Sequence, residues 1–170
     1  VEKKVPREII EDLCYPSIMS GLQSGVTCFV DHYYHIEEIG KALHRSHVRG
    51  AIGETLADRG GAFPSDQCFE KFSEVIDNWP WSERIQPVLC PHATDTVSEK
   101  MLQSIGAYAR HMNLPIHMHL SQTQTERDFT LREYGISPVA FAARCGVLTS
   151  KTLAVHLLSA TAEDFLQLQV

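Results

Sequence analysis

Strand-like apolar runs alternate with helical patterns along the whole of this 170-residue chain. Apolar residues at roughly helical spacing follow Pro6, Gly25 ends that pattern, and Pro16 is expected to kink or divide the helix. The repeated order of strand and helix predicts a parallel α/β sheet with right-handed crossovers. The predicted strands are residues 26–30, 48–53, 85–90, 114–120 and 152–156. The predicted helices after the first are 36–46, 65–79, 98–112, 124–134, 138–145 and 162–168.

The fourth predicted strand carries two histidines, His117 and His119, between alternating apolar residues. Side chains two residues apart on a strand point to the same side, and the polar stretch from Ser121 begins a loop directly afterwards. Loops at the carboxyl ends of parallel strands carry the chemistry of such proteins, so an imidazole here is a candidate metal ligand or general base. A pair of barrel-lining histidines held only by hydrogen bonds is the alternative that this segment leaves open.

Length and composition favour one globular domain with its own core. The chain is 44% hydrophobic and 21% charged, and its net charge of −6 argues against binding to nucleic acid or to an anionic membrane. Five cysteines without a C-x-x-C pair favour a reducing, cytoplasmic location. No apolar stretch approaches transmembrane length, and a start at Val1 inside a helical pattern leads us to expect a fragment.

Most of the predicted strands end in a polar residue of the kind that builds catalytic sites. These residues are Asp31, His32, Glu54, His92, His119 and His156. No Gly-x-Gly-x-x-Gly or phosphate-loop motif follows the first strand, so a nucleotide-binding sheet lacks its signature. A (β/α) barrel, whose site is assembled from successive strand ends, fits this pattern better.

Five stretches of the chain, taken in order, resemble the amidohydrolase superfamily and specifically its aminohydrolase branch. They are residues 24–31, 91–93, 116–123, 135–139 and 153–156. That branch contains methylthioadenosine/S-adenosylhomocysteine deaminases, guanine and cytosine deaminases, and triazine chlorohydrolases. The resemblance implies a partial (β/α) TIM-type barrel that comprises strands two to six, with residues 1–170 as a single catalytic-domain segment.

The resemblance also implies one zinc or iron ion, whose bound water attacks a ring carbon that carries an amino or chloro group. The metal would lower the pKa of that water from about 15.7 toward about 7. His119 matches the metal ligand after the fifth barrel strand, and His156 matches the sixth-strand histidine that contacts the metal or its water and orients the nucleophile. His92 matches a substrate-binding histidine, whereas no family role transfers to His117. The implied substrate is a small aminated heterocycle such as a purine, pterin, pyrimidine or triazine.

The chain departs from the family pattern at two places. Gln122 stands where the family has its acid/base glutamate, and an amide can orient a water or a ring nitrogen but cannot carry a proton between them. Glu126, one helical turn further, is a carboxylate that could take over that role. The family's other metal ligands, a His-x-His pair and an aspartate, would fall before Val1 and after Val170.

The resemblance leads to the hypothesis that the chain is a segment of a hydrolase and is inactive alone. Two other hypotheses compete with it. The chain could be a non-catalytic binding or assembly module built on a partial barrel, or a complete small α/β protein with an unrelated site. An open barrel leaves two sheet edges and part of its interior exposed, for example at Val26, Cys28 and Val30. We therefore expect the chain to form homo-oligomers, to aggregate, or to be part of a longer polypeptide.

Overall fold

The computed structural model describes residues 2–81 and 83–168, and these form two compact units. The first unit contains residues 2–55 and the segment Phe72–Val88; the second contains Leu56–Lys71 and residues 89–168. The strands are β1 (Cys28–Tyr33), β2 (Arg49–Leu56), β3 (Ile85–Pro87), β4 (Cys90–Pro91), β5 (Ile116–Leu120) and β6 (Thr152–His156). The α-helices are α1 (Ile10–Gln23), α2 (Ile36–Arg45), α3 (Cys68–Asp77), α4 (Glu99–Met112), α5 (Gln124–Tyr134), α6 (Pro138–Arg144) and α7 (Ala162–Gln167). Two short 3₁₀ turns, Glu2–Lys4 and Arg7–Ile9, precede α1.

The first unit contains a parallel sheet in the order β1-β2-β3. Ala51 of β2 lies opposite Val30 of β1, and helices α1 and α2 pack against each other. Its buried core includes Ile39, Leu43, Ile52 and Ile85. Strand β1 ends this sheet, and Val26 and Val30 remain 42% and 49% exposed, as expected from the sequence.

The second unit contains the parallel pair β5 and β6, in which Leu120 lies opposite His156. On the other side of β5, Leu89 forms a parallel bridge to Ile116, and the backbone N–H of His117 donates to the Leu89 carbonyl at 2.9 Å. Apolar side chains from β5 and the surrounding helices are fully buried. They include Ile116, Met118, Leu120, Leu102, Ile105 and Phe141. The α/β class with parallel strands is confirmed, and four of the five residues of β5 are buried.

Helix ends in the second unit follow local signals in the sequence. Ser98 caps α4 by accepting a hydrogen bond from the N–H of Met101, which confirms the predicted start. Thr123 caps α5 in the same way, and Gly135 ends it with a positive φ of 72°. The predicted range of α5 is confirmed without change. These caps fix where each loop after a strand gives way to a helix.

Four strand predictions were wrong at their boundaries, and one of them is β5, which begins at Ile116 and not at residue 114. Strand β1 begins at Cys28 and includes His32 and Tyr33, which the sequence assigned to a loop, and β2 continues three residues beyond Gly53 to Leu56. The single strand predicted over 85–90 is two short strands, because consecutive residues bond to different neighbours. The N–H of Val88 donates to Ile52, whereas that of Leu89 donates to Pro115.

Two helix predictions also need correction. Pro16 lies inside α1 without dividing it. The lost N–H leaves the Asp12 carbonyl without its helical donor, but both residues are exposed, so water can solvate that carbonyl. Helix α3 begins at Cys68 because the Ser65 hydroxyl accepts from the N–H of Gln67 in a local turn.

Candidate functional site

Four histidines of the second unit lie together at the carboxyl ends of its strands. His92 follows β4, His117 and His119 lie on β5, and His156 ends β6. The ring centre of His119 is 5.3 Å from that of His92, 6.3 Å from that of His117 and 5.1 Å from that of His156. His119 is therefore the centre of what we call the histidine cluster: His92, His117, His119 and His156.

Backbone pairing explains why these side chains meet. The parallel register of β5 and β6 places His119 beside Val155 and Leu120 beside His156. The N–H of His119 donates to the carbonyl of His92 at 3.1 Å, which fixes the loop after β4 against β5. The cluster thus depends on strand pairing, which brings together residues that lie 37 positions apart in the case of His119 and His156.

The backbone is strained where β5 and β6 end. Ser121 has a φ of 52°, and His156 and Leu157 have φ values of 83° and 55°, in the left-handed region that non-glycine residues seldom adopt. Hydrogen bonds hold this strain in place, because the N–H of Leu157 donates to Leu120 and the N–H of Ser159 donates to Ser121. Strain of this kind concentrates at functional sites, where the surrounding structure fixes the conformation.

Burial lowers the pKa values of three histidines of the cluster, His92, His117 and His119. Burial is the largest of the effects that together lower the pKa of His119 to about 4, and repulsion from the neighbouring His92, His156 and His117 follows in that order. Burial also lowers the pKa of His92, although Asp95 opposes the shift, and that of His117. At neutral pH the imidazole of His119 is therefore uncharged and presents a nitrogen lone pair.

A divalent metal fits the arrangement of His119 and His156. The Nδ1 atom of His119 and the Nε2 atom of His156 are 3.2 Å apart. Two nitrogens that each lie about 2.0–2.1 Å from a tetrahedral zinc are about 3.3 Å apart, so the observed spacing suits two ligands of one ion. His92 is oriented by a 2.7 Å hydrogen bond between its Nδ1 and the Thr96 hydroxyl.

The loop after β5 carries Gln122, and α5 begins with Glu126; these are the two residues considered above for proton transfer. The side chain of Gln122 is exposed, and its backbone N–H donates to Glu126 at 2.8 Å. No hydrogen bond joins the Gln122 side chain to the histidine cluster within residues 2–81 and 83–168. Glu126 is only 2% exposed and accepts from Thr94, Ser121 and Gln122. These contacts hold the loop after β5 in place.

Sequence reasoning identified His92, His119 and His156 but missed the hydrogen bonds that Glu126 makes. A signal was present, since Thr123 and Glu126 have the spacing of a helix capping box. Nothing local marked Thr94, whose hydroxyl reaches Glu126 across 32 positions of the chain.

The polar strand ends of the first unit have their own contacts. Glu54 accepts the backbone N–H groups of His35 and Ile36 at 3.1 and 3.0 Å, and so caps the start of α2. Burial raises the pKa of Glu54, although these two bonds oppose the shift. Burial likewise raises the pKa of Asp31 on β1. The cap on α2 is therefore a structural role for Glu54 within its own unit.

Parallel strands that bring four histidines together at their carboxyl ends define an α/β enzyme with its site at the strand ends. The chain belongs to the amidohydrolase family, whose model matches residues 4–169, and the resemblance stated above is confirmed. It is 30% identical to the 5-methylthioadenosine/S-adenosylhomocysteine deaminase of Clostridium tetani, a match that covers 96% of this chain and 38% of that protein. The chain thus spans less than half the length of this curated relative.

Two solved structures share the fold. An adenosine deaminase from Xanthomonas campestris with bound zinc has a TM-score of 0.86 and 24% identity, over 96% of this chain and 38% of that one. An atrazine chlorohydrolase from Arthrobacter aurescens complexed with zinc has a TM-score of 0.85 and 15% identity, over 98% and 42%. Among the described residues, no helix is both long and apolar enough to cross a membrane.

Proposed function

We propose that this chain is part of a metal-dependent aminohydrolase. The enzyme would add water to a ring carbon of an aminated heterocycle, forming a C–O bond as the C–N bond breaks and ammonia leaves. The observation that carries the proposal is the histidine cluster of a chain in the amidohydrolase family. A chloro group is a second leaving group for the same chemistry, since one structural neighbour is an atrazine chlorohydrolase.

The chain would contribute strands two to six of a (β/α) TIM-type barrel, within a single catalytic-domain segment formed by residues 1–170. Support comes from structural neighbours that match nearly all of this chain with about two fifths of their own. On this assignment β1 and β2 are the second and third barrel strands, β3 and β4 are two parts of the fourth, and β5 and β6 are the fifth and sixth. The segment alone is expected to be inactive.

His119 and His156 would hold one divalent ion, either zinc or iron. When bound, such an ion supplies Lewis acidity that makes water a nucleophile at neutral pH. His119 suits this position because its depressed pKa leaves one ring nitrogen unprotonated, and that nitrogen can bind a cation. His156 would also orient the attacking water, and His92, held by Thr96, would donate to or accept from the heterocycle.

The substrate class follows from the relatives. The matched relatives include proteins named as deaminases of methylthioadenosine, S-adenosylhomocysteine and deoxyadenosine. A purine nucleoside with an exocyclic amino group is therefore the first substrate to test, ahead of pterins, pyrimidines and triazines. We also propose a cytoplasmic homo-oligomer, supported by five free cysteines and by exposed apolar residues on β1 and β6, including Val30 and Leu153.

One observation favours a second function, a non-catalytic binding or assembly module. Gln122 places a neutral amide where the family has its proton-carrying glutamate, and the nearby Glu126 is committed to three hydrogen bonds. An enzyme of this kind would need a leaving group that requires little acid assistance. The module would retain a metal through the histidine cluster without turning over a heterocycle.

The test uses the full-length parent protein, loaded separately with Zn²⁺ and Fe²⁺. Ammonia or chloride release is measured with methylthioadenosine, S-adenosylhomocysteine, guanine and atrazine. We expect turnover of at least one amino-substituted ring, and its loss in the His119→Ala and His156→Ala variants. Exposed His111 on α4 provides the matched control variant, His111→Ala, which should retain activity. A metal-loaded parent that turns over none of these compounds would support the module.

A further inference from the structure

Glu126 is a buried carboxylate that joins two loops beside the histidine cluster. It lies in the first turn of α5, is 2% exposed and has no role in the chemistry proposed above. We propose that Glu126 is a positioning residue, which sets the backbone of the Gln122 loop and ties it to the loop that carries His92. This inference rests on the proposed function for its catalytic consequence, but its structural part can be tested without a substrate.

The two carboxylate oxygens have different partners. The Oε1 atom accepts from the Thr94 hydroxyl at 2.6 Å and from the N–H of Ser121 at 3.2 Å. The Oε2 atom accepts from the N–H of Gln122 at 2.8 Å. Thr94 and Ser121 are fully buried, so these bonds form away from water. Hydrogen bonds to a charged acceptor are stronger than neutral ones, and the loss of a buried partner leaves a donor unsatisfied.

Only a carboxylate satisfies both backbone donors. A glutamine at position 126 would have one oxygen and one NH₂ group, and backbone N–H groups cannot reverse their polarity. If its oxygen faced Gln122, the NH₂ group would face the N–H of Ser121; the opposite orientation would leave the N–H of Gln122 facing a donor. Glu126→Gln therefore breaks at least one bond while preserving shape, which makes it a specific perturbation.

The geometry links these bonds to the site. Ser121 adopts its left-handed φ of 52° directly after β5, and Gln122 is the next residue. Thr94 lies between His92 and Thr96, the residue that orients the His92 ring. One side chain therefore controls the backbone on two sides of His119. A displacement of about 1 Å at a reacting group lowers the rate by about 10²-fold, so loosening these loops should act on kcat.

Hydrogen–deuterium exchange of the full-length parent tests the structural part. Peptides that cover residues 120–123 and 92–97 are compared in the wild type and in three variants. Glu126→Gln should speed exchange in both peptides, whereas Thr94→Val should affect mainly 92–97, because both backbone bonds of Glu126 persist. Glu133→Gln makes the same chemical change at an exposed position of α5 and should alter neither peptide.

Kinetics with methylthioadenosine test the catalytic part. Glu126→Gln should lower kcat by up to about 10²-fold with a smaller change in KM, in a protein that still unfolds cooperatively in urea although at a lower midpoint. Glu133→Gln should leave kcat and KM unchanged, whereas a general effect of removing a charge from α5 would lower kcat in both variants. Unchanged exchange in Glu126→Gln overturns the inference, and so does an unchanged kcat in an active protein or an equal loss of kcat in Glu133→Gln. A wild type that is inactive with every tested heterocycle contradicts the proposed function and not the positioning role. In that case hydrogen–deuterium exchange is the test of the positioning role.

Discussion

The depressed pKa of His119 predicts that acid destabilises this protein as the pH falls below about 6.5. In the folded state His119 has a pKa of about 4, below the value near 6.5 that a histidine has in an unfolded chain. Between these two values the unfolded chain binds a proton that the folded chain does not. The stabilising contribution is therefore fully present above about pH 6.5 and is lost as the pH falls toward about 4.

The magnitude follows from the size of this shift. At about 1.4 kcal/mol for each pH unit, a change in pKa from 6.5 to about 4 corresponds to at most about 3.5 kcal/mol. Solvent reaches part of the His119 side chain and screens its charge, so we expect a loss of about 1–2 kcal/mol. Burial shifts the pKa values of His92 and His117 in the same direction, so their contributions add to the loss.

Urea unfolding of the metal-free full-length parent measures this effect at a series of pH values between about 7.5 and 4.5. His119→Gln removes the titrating group, so the free energy of unfolding should fall less steeply over this range than in the wild type. His111→Gln makes the same substitution at an exposed site and should leave the slope of the wild type unchanged. If the wild type and His119→Gln lose the same stability on acidification, the burial of His119 does not control the pH dependence.

Four other predictions can be tested independently. The 170-residue chain should bind zinc weakly and exchangeably, because zinc sites need three or four protein ligands; a tightly retained stoichiometric zinc on dialysis would contradict the assignment of His119 and His156. Gln122→Glu in the parent should raise deamination of an amino-substituted ring by about 10²- to 10⁴-fold, and an already efficient wild type unaffected by the change would argue against this position as the proton carrier. Asp164→Asn should lower the free energy of unfolding by about 3 kcal/mol or more, because Arg127 then loses the carboxylate that lies 3.1 Å away and is 5% exposed; an unchanged urea midpoint would contradict this. Light scattering should detect association of the isolated chain, and a stable 19.1 kDa monomer with cooperative unfolding would refute the open-barrel interpretation.

The second unit was largely predictable because its signals are local. Ser98 and Thr123 are helix caps in the sequence and in the structure, and β6 has the predicted bounds Thr152–His156. Alternating apolar residues placed His117 and His119 on one strand. The order of elements then brought His119 and His156 together, since the ends of adjacent parallel strands meet at one edge.

The errors arose where partners are distant in sequence. The split between β3 and β4 depends on which neighbour receives the N–H groups of Val88 and Leu89, and neither partner is visible in the local pattern. The position of Thr94 against Glu126 likewise depends on packing between two loops. Periodicity and capping propensity describe single elements, so they cannot identify the acceptor of a bond that spans 32 residues.

The hydrogen bonds of Glu126 affect how a glutamate at position 122, where the family has its acid/base residue, can be tested. The carboxylate accepts from the backbone N–H of Gln122, and no hydrogen bond in the described part of the chain holds the side chain of that residue. The fold of this loop is consequently independent of whether residue 122 is glutamine or glutamate. Replacement by glutamate should therefore change the proton-carrying capacity of the site while its backbone stays in place. An increase in activity in that variant could then be assigned to proton transfer, because Glu126 keeps the loop geometry constant.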